Sequence, residues 1–266
     1  MLTFVPLFLL FGWMLPADSM TIRFNFPLRR TYQDIPLSMV EDSVDDMYFG
    51  CAQKMQKVAH NYFNIENKGV FKSVWKNAEG CTKTNMKRKE AGALTREHLQ
   101  AICVYTSGYK RFHDLFNAAV RTNRSEYSTS FPFHSLHFWL TSAIQILNNN
   151  KPCLKSYRRS NSVFTGKVNQ VVRFGFFAST SKRTNLTRFG TETCFQIKTC
   201  RGAYLKKYPT LGNYEKEVLI PPYEMFKISQ IAKGKFENLS DCNTIYVLKS
   251  VGVKSNLNCK AAKLGQ

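Results

Sequence analysis

The sequence predicts an α+β fold in which a helical N-terminal region packs on a mixed β-sheet core. Apolar residues recur at helical spacing over about residues 43–150, and short β-branched or aromatic runs separated by turn residues follow over about 151–250. Helices first and strands later are typical of this class. The 266 residues are 44% hydrophobic, which suffices for one substantial core, and no linker or internal repeat divides the chain. We therefore expect a single domain over residues 20–266.

The first 19 residues have the composition of a secretory signal peptide. An apolar run from Leu2 to Leu15 is followed by small residues that fit a cleavage point near Ser19, although the usual Lys or Arg before the run is missing. A membrane anchor is the alternative, but the run is short for a membrane span. Residues 258–266 contain no hydrophobic tail, so no C-terminal lipid-anchor signal is visible.

Cysteines and glycosylation motifs also indicate secretion. The chain has eight cysteines, an even number that fits disulfide formation in an oxidising compartment. Glycosylation sequons begin at Asn123, Asn185 and Asn238. Together with the leader, these features predict a secreted, disulfide-stabilised glycoprotein.

The chain is strongly basic, with 38 Lys and Arg against 18 Asp and Glu and a formal net charge of +20. A charge of this size attracts polyanions, so anionic glycans and membrane surfaces are candidate partners, with simple solubility as the alternative. The densest basic runs, 29–30 and 87–89, are too short to name a partner. A specific nucleic-acid role is not predicted.

Four helices are predicted in the first part of the chain. The first has Ser43 as its N-cap and Asp45 and Asp46 in its first turn, and it continues to about Tyr62. The other three cover about 95–108, 112–120 and 135–147. Five strands are predicted after them, at 171–178, 193–200, 217–220, 225–228 and 244–248.

The stretch NYEKEVLIPP, residues 213–222, is the most informative part of the sheet half. In it, Glu215 and Glu217 precede a β-favouring apolar run that two prolines end. On one strand these two carboxylates share a face and stand about 7 Å apart. Like charges at that separation repel, and a cationic substrate or transition state would offset the repulsion. Two surface acids at a solvated strand start are the simpler alternative.

Two further features precede these acids. Arg158 lies in a Tyr-Arg-Arg stretch after Cys153, and the apolar run 171–178 leads into Ser179-Thr180-Ser181. An arginine, then aromatic-x-Ser-x-Ser, then Glu-x-Glu-Val-Leu-Ile-Pro-Pro is an order that resembles the vertebrate arginine-specific mono-ADP-ribosyltransferases of the cell surface and extracellular space.

The family's arginine–serine–glutamate triad falls on Arg158, Ser179 and Glu217. Further stretches that match the family lie at 45–51, 101–106 and 130–138, and the resemblance spans about residues 45–259.

The resemblance implies a metal-free reaction that breaks the nicotinamide–ribose bond of NAD, used as a co-substrate. Glu217 would stabilise the oxocarbenium-like ribose and hold its 2′-hydroxyl. Ser179 would orient that carboxylate or the ribose, and Arg158 would grip phosphate oxygens. Glu215 would orient the acceptor guanidinium and take its proton. Tyr105 matches a nucleotide-proximal tyrosine of the family, with a buried helix aromatic as an equal alternative.

The function implied is transfer of ADP-ribose from NAD to arginine on protein substrates, with nicotinamide release and inversion at the anomeric carbon. The alternatives are an NAD glycohydrolase, in which water replaces arginine, and a catalytically silent basic domain that binds polyanions. The five histidines show no metal-ligand spacing.

Two positions depart from the family pattern. Arg159 stands where the family usually has glycine and would crowd the nucleotide or add a phosphate contact. Phe176 stands where the family often has glutamine and would weaken a cofactor contact or replace it by stacking. The resemblance also implies two disulfides, Cys51–Cys259 and Cys153–Cys200, and leaves the pairing of the other four cysteines open.

Overall fold

A computed structural model describes residues 34–88 and 92–264 of the chain. The leader predicted at residues 1–19 lies outside the described residues. Within them, helices fill the first part and strands fill the second, apart from a two-residue strand at the start and a short helix at the end. The predicted α+β class with a mixed sheet is confirmed.

Seven α-helices are present in the described part of the chain. In order they are α1 (Ala52–Glu66), α2 (Gly69–Asn77), α3 (Glu79–Met86), α4 (Arg96–Thr106), α5 (Phe112–Thr122), α6 (His134–Asn148) and α7 (Lys260–Leu264). Helices α4, α5 and α6 agree with prediction, and Thr95, where α4 was expected to begin, is its N-cap. Helices α2, α3 and α7 were not predicted.

Ten strands are described. They are β1 (Ile35–Pro36), β2 (Leu154–Ser160), β3 (Phe164–Thr165), β4 (Val171–Val172), β5 (Ala178–Ser181), β6 (Thr193–Thr199), β7 (Ala203–Tyr204), β8 (Glu217–Ile220), β9 (Glu224–Lys233) and β10 (Thr244–Val253). Strand β8 has its predicted bounds, whereas β9 and β10 extend beyond theirs.

Eight of these strands form one sheet in the order β4-β9-β10-β6-β2-β5-β8-β7. Its pairs are antiparallel except β10 with β6, which makes the sheet mixed. The predicted strand at 171–178 is two strands, β4 and β5, because the chain turns at Gly175. That glycine has a φ of +70°, and a Cβ there would come within 2.5 Å of Val40.

The predicted start of the first helix is wrong. Ser43 does not cap a helix, because its hydroxyl donates to the carbonyl of Gly175 at 2.8 Å. The carboxylate of Asp45 pairs with Arg173 at 2.7 Å, and both side chains are fully buried. The segment is therefore a non-helical strap between the helices and the sheet, and α1 begins only at Ala52.

A buried carboxylate joins the two longest helices. Glu66, the last residue of α1, accepts hydrogen bonds from the backbone N–H groups of His134 and Ser135 at 2.7 and 3.0 Å. These N–H groups belong to the first turn of α6, where a helix leaves them unpaired. The long-range carboxylate thus caps α6 and fixes it against α1.

Four disulfides close the chain. Cys51–Cys259 and Cys153–Cys200 confirm the pairs implied by the resemblance. The four cysteines whose pairing was left open form the disulfides Cys81–Cys103 and Cys194–Cys242. Cys51–Cys259 ties the segment before α1 to the segment before α7, and Cys153–Cys200 joins the start of β2, the strand that carries Arg158, to the end of β6.

Two of the histidines lie in the core, where they hydrogen-bond to neighbouring groups. His134 lies 2.9 Å from a carboxylate oxygen of Glu66, and His137 lies 2.9 Å from the hydroxyl of Tyr48. Among residues 34–88 and 92–264, no cluster of His, Cys, Asp and Glu is arranged to hold a metal ion. Over the same residues, no helix has the length and apolar character needed to span a membrane.

Candidate active site

Arg158 lies in the middle of β2, which pairs with β6 on one side and β5 on the other. Its guanidinium donates to the backbone carbonyl of Ser179 at 2.6 Å, which links β2 to β5. Burial lowers the pKa of Arg158 to about 10, so the side chain stays cationic at neutral pH. A buried cation of this kind is suited to an anionic ligand.

Ser179 and Glu217 form the closest contact of the site. Strands β5 and β8 are antiparallel, with Ser179 opposite Leu219 and Ser181 opposite Glu217. The Ser179 hydroxyl reaches diagonally across this pair and donates to Oε1 of Glu217 at 2.5 Å. Both side chains are buried. The serine therefore fixes the orientation of a carboxylate that is shielded from bulk water.

Glu215 does not lie on β8, so the prediction that it shares a strand face with Glu217 is wrong. Strand β8 begins at Glu217, and Lys216 between them has a φ of +48°. Even so, Glu215 and Glu217 line the same small pocket. The other residues of this pocket are Thr106, Pro209, Leu211 and Gly212. The left-handed turn at Lys216 thus brings both carboxylates to one place without a continuous strand.

Two contacts hold Glu215. Its backbone carbonyl accepts a hydrogen bond from the Ser181 hydroxyl, and its Oε1 lies 2.5 Å from Nη2 of Arg188. Glu215 is buried, whereas the Arg188 side chain is 38% exposed. A buried carboxylate that lines the pocket is therefore paired with a partly exposed guanidinium.

Tyr105, on α4, is completely buried behind β5. Its hydroxyl donates to the carbonyl of Phe177 and accepts a hydrogen bond from Asn117 at 3.0 Å. Burial raises the pKa of Tyr105, so the hydroxyl remains protonated and available as a donor. Tyr105 therefore anchors the backbone that leads into Ser179.

A second cavity is lined in part by Arg158. Its lining includes Arg121, Phe164, Phe176 and the segment 35–38. The guanidinium carbons of Arg121 and Arg158 lie 5.7 and 5.9 Å from the centre of the Phe176 ring. Two guanidiniums around one aromatic ring form a cationic surface that suits phosphate groups and flat heterocycles.

The sequence was next compared with known proteins. The family model described as NAD:arginine ADP-ribosyltransferase matches residues 37–244. The chain belongs to this family. Ecto-ADP-ribosyltransferase 4 of Mus musculus is 34% identical over 246 residues, covering 86% of this chain and 77% of the mouse protein. GPI-linked NAD(P)(+)--arginine ADP-ribosyltransferase 1 of Oryctolagus cuniculus is 34% identical over 263 residues, covering 87% and 76%.

Solved structures of the family have the same fold. A mutant of the eukaryotic mono-ADP-ribosyltransferase ART2.2 in complex with NADH is 28% identical to this chain, with a TM-score of 0.70, and the match covers 85% of this chain and 98% of ART2.2. A second ART2.2 mutant, which also has a TM-score of 0.70, is in complex with NAD. The predicted family, fold, enzyme class and NAD co-substrate are confirmed.

The two departures from the family pattern have structural explanations. Arg159 alternates with Arg158 on β2 and therefore points to the opposite face, where its guanidinium forms two 2.9 Å contacts with Asp241 and donates to the carbonyl of Thr184. Its side chain does not enter the cavity beside Arg158. Phe176 is buried and packs against Arg121 and Arg158, which fits stacking in place of a glutamine contact.

Three residues around the site were missed in the sequence. Asn117 holds Tyr105, Arg121 donates to the carbonyl of Phe174 at 2.9 Å, and Arg188 pairs with Glu215. Asn117 and Arg121 are one helical turn apart on α5 and therefore lie on one face of that helix, which was the available signal. No local pattern links Arg188 to Glu215.

Proposed function

We propose that this chain transfers ADP-ribose from NAD to arginine side chains of proteins and releases nicotinamide, with Arg158, Ser179, Glu217 and Glu215 as its working residues. The observation that carries the proposal is the buried carboxylate of Glu217, held by the Ser179 hydroxyl at 2.5 Å beside the cationic Arg158. In a member of the NAD:arginine ADP-ribosyltransferase family, this arrangement matches the chemistry of breaking a glycosidic bond.

Glu217 stabilises the positive charge that develops on the ribose as the bond to nicotinamide breaks. A preoriented carboxylate in a water-poor site does this without reorganisation at the moment of reaction. The hydrogen bond from Ser179 supplies that orientation by fixing one carboxylate oxygen, and the carboxylate also binds the ribose 2′-hydroxyl.

Arg158 binds the phosphate groups of NAD. Its planar, permanently charged side chain presents several donors, of which Nη1 is engaged with the carbonyl of Ser179. The neighbouring Arg121 and the ring of Phe176 extend the same surface. Tyr105 supports this surface, because its hydroxyl donates a hydrogen bond to the carbonyl of Phe177. It therefore belongs to the NAD site as a supporting residue.

Glu215 receives the acceptor. Its carboxylate pairs with the incoming guanidinium, and one guanidinium nitrogen forms a bond to the anomeric carbon while the bond to nicotinamide breaks. Nicotinamide leaves neutral with the electron pair of that bond, and the proton lost by the guanidinium passes to Glu215. Attack on the face opposite nicotinamide inverts the anomeric carbon.

The test incubates purified protein with NAD and agmatine, a small guanidine, and measures nicotinamide and the ADP-ribosyl adduct. Glu217→Ala should abolish both nicotinamide release and adduct formation. Glu215→Gln should remove most adduct formation while nicotinamide release by hydrolysis persists. Intact transfer in Glu215→Gln would contradict the role given to Glu215, and no adduct from wild-type protein would refute transferase activity.

NAD hydrolysis is the second candidate, and one contact favours it. Because Arg188 already pairs with the carboxylate that would receive the acceptor, water can reach the ribose cation before an arginine does. Nicotinamide release without any adduct in saturating agmatine would select this function.

Two further properties are proposed from composition and from the relatives. Secretion is supported by four disulfides and by relatives named as ecto-enzymes, and it is checked by detecting the glycosylated chain in the medium of expressing cells. Binding to anionic glycans or membranes is supported only by the net charge of +20. Retention on heparin that falls steeply with salt would support it.

A further inference from the structure

The carboxylate of Glu215 is already paired with a guanidinium of the chain itself. Arg188 lies on a one-turn 3₁₀ helix, Thr187–Phe189, in the connection between β5 and β6. Its Nη2 is 2.5 Å from Oε1 of Glu215. Arg188 therefore has the chemistry of an acceptor arginine and occupies the carboxylate that such an arginine needs.

The surroundings of Arg188 suit any guanidinium. Its guanidinium carbon lies 4.5 Å from the centre of the Phe189 ring and 5.5 Å from that of Tyr214. One carboxylate and two aromatic faces satisfy the charge and the flat surface of a guanidinium together. An incoming arginine has to take over this environment from Arg188.

The rim of this site is basic. We use "basic rim" for Lys182, Arg183, Arg188 and Lys216, which lie on two adjacent connections. Backbone N–H of Lys182 donates to the carbonyl of Lys216 at 3.1 Å, and Nη1 of Arg183 donates to the carbonyl of Tyr214 at 3.0 Å. Four cations around one entrance repel a positively charged segment and attract a negatively charged one.

We infer that Arg188 is an internal occupant of the acceptor position, and that acceptor arginines flanked by Asp or Glu displace it best. In the exchange, the acceptor guanidinium forms an ion pair with Glu215, and a flanking carboxylate of the acceptor forms an ion pair with Arg188. Two ion pairs replace one, so no cation is left without a partner. This inference rests on the proposed transferase function and specifies its substrate class as arginine in an acidic segment.

The expected change in the KM for agmatine follows from the fraction of molecules in which the Glu215 carboxylate is not paired with Arg188. A competitor inside the protein reduces apparent affinity by that fraction. A pair with one partly exposed partner makes Glu215 available in about one molecule in five. Removal of the Arg188 side chain should therefore lower the KM for agmatine by about three- to tenfold.

The experiment compares wild type, Arg188→Ala and Arg183→Ala with agmatine and with two peptides. Each peptide carries one arginine, flanked by two Glu in one peptide and by two Gln in the other. Arg183→Ala is the matched control, because it removes the same charge beside Tyr214, and its guanidinium donates to the Tyr214 carbonyl rather than to the Glu215 carboxylate. Arg188→Gln serves as a second variant that removes the charge and the guanidinium but keeps a polar side chain.

Wild type should prefer the Glu-flanked peptide by about tenfold in kcat/KM, a preference set by charge complementarity. In both Arg188 variants the KM for agmatine should fall and the preference should drop below about threefold, with the KM for NAD changed less than about twofold. Arg183→Ala removes one charge of the basic rim but keeps the pair between Arg188 and Glu215, so its KM for agmatine should fall by less than in either Arg188 variant.

An unchanged or raised KM for agmatine in both Arg188 variants would overturn the inference. A raised KM for NAD would overturn it as well, by assigning Arg188 to the nucleotide. Failure of the proposed function is distinguishable, because wild-type protein would then form no agmatine adduct at all.

Discussion

Ser179→Ala tests whether Glu217 depends on its serine. The substitution removes one hydroxyl, which is completely buried and donates to Oε1 of Glu217 at 2.5 Å. The contact that Arg158 makes with residue 179 goes to the backbone carbonyl, so alanine retains it. The change is therefore confined to the orientation and solvation of the carboxylate.

The size of the effect follows from the charge of the acceptor group. A hydrogen bond to a charged group is worth about 1.5–3 kcal/mol, and a buried carboxylate oxygen deprived of its donor loses a comparable amount. A loss of about 2 kcal/mol of transition-state stabilisation corresponds to about a thirtyfold lower kcat. Because the proposed role of Glu217, stabilising the ribose cation, is the same in both reactions, transfer and hydrolysis should fall together.

The assay measures nicotinamide release with NAD alone and adduct formation with agmatine. Thr180→Val is the control, because it removes the neighbouring buried hydroxyl, which donates to the carbonyl of Val218 at 2.7 Å rather than to a carboxylate. The control should stay within about threefold of wild type, since only one neutral hydrogen bond is lost. A Ser179→Ala enzyme that retains full hydrolysis, or that loses transfer alone, would refute the orientation role.

Two predictions concern stability. Burial lowers the pKa of His137 from 6.5 to about 3, so the folded protein keeps it neutral while the unfolded chain protonates it below pH 6.5. The difference in unfolding free energy between wild type and His137→Gln should therefore be largest above pH 6.5. Between pH 6.5 and pH 3 it should shrink by at most about 1.4 kcal/mol per pH unit, as measured by urea unfolding. A difference that grows on acidification would contradict this. Removal of the Cys51–Cys259 disulfide, whose cysteines are 208 residues apart, should lower the unfolding free energy by about 5 kcal/mol. Removal of Cys81–Cys103, whose cysteines are 22 residues apart, should lower it by only about 3 kcal/mol. Equal losses of stability in thermal melts would argue against loop entropy as the cause.

The parts of the fold that were predictable are those decided by local pattern. Helical periodicity with Thr95 as a cap is enough to define α4, and the run between Glu217 and two prolines is enough to define β8. The predicted start of the first helix was wrong because this segment is held by contacts that are distant in the sequence. Ser43 and Asp45 match an N-terminal capping pattern, but their partners, Gly175 and Arg173, lie more than a hundred residues away. A short window of sequence contains no information about such partners.

The same division holds for the site. The strand that carries Arg158 was not predicted, whereas the strands that lead into Ser179 and begin at Glu217 were predictable from short apolar runs. The position of Glu215 was not, because it depends on the left-handed backbone at Lys216, a residue without special preference for that conformation. The partner of Glu215, Arg188, comes from another connection and has no motif of its own.

The two carboxylates are held in ways that suit different steps. Glu217 begins β8, which has a neighbour on each side, and a buried serine on β5 fixes its side chain, which suits the proposed role of a charge that must be in place before the ribose cation forms. Glu215 is fixed through its backbone, where the Ser181 hydroxyl binds its carbonyl, while its carboxylate pairs with a partly exposed arginine. A carboxylate that must accept one guanidinium after another needs a fixed main chain and an exchangeable partner. In the proposed function, bond breaking therefore depends on the fixed carboxylate of Glu217, and acceptor choice depends on how readily Glu215 exchanges Arg188.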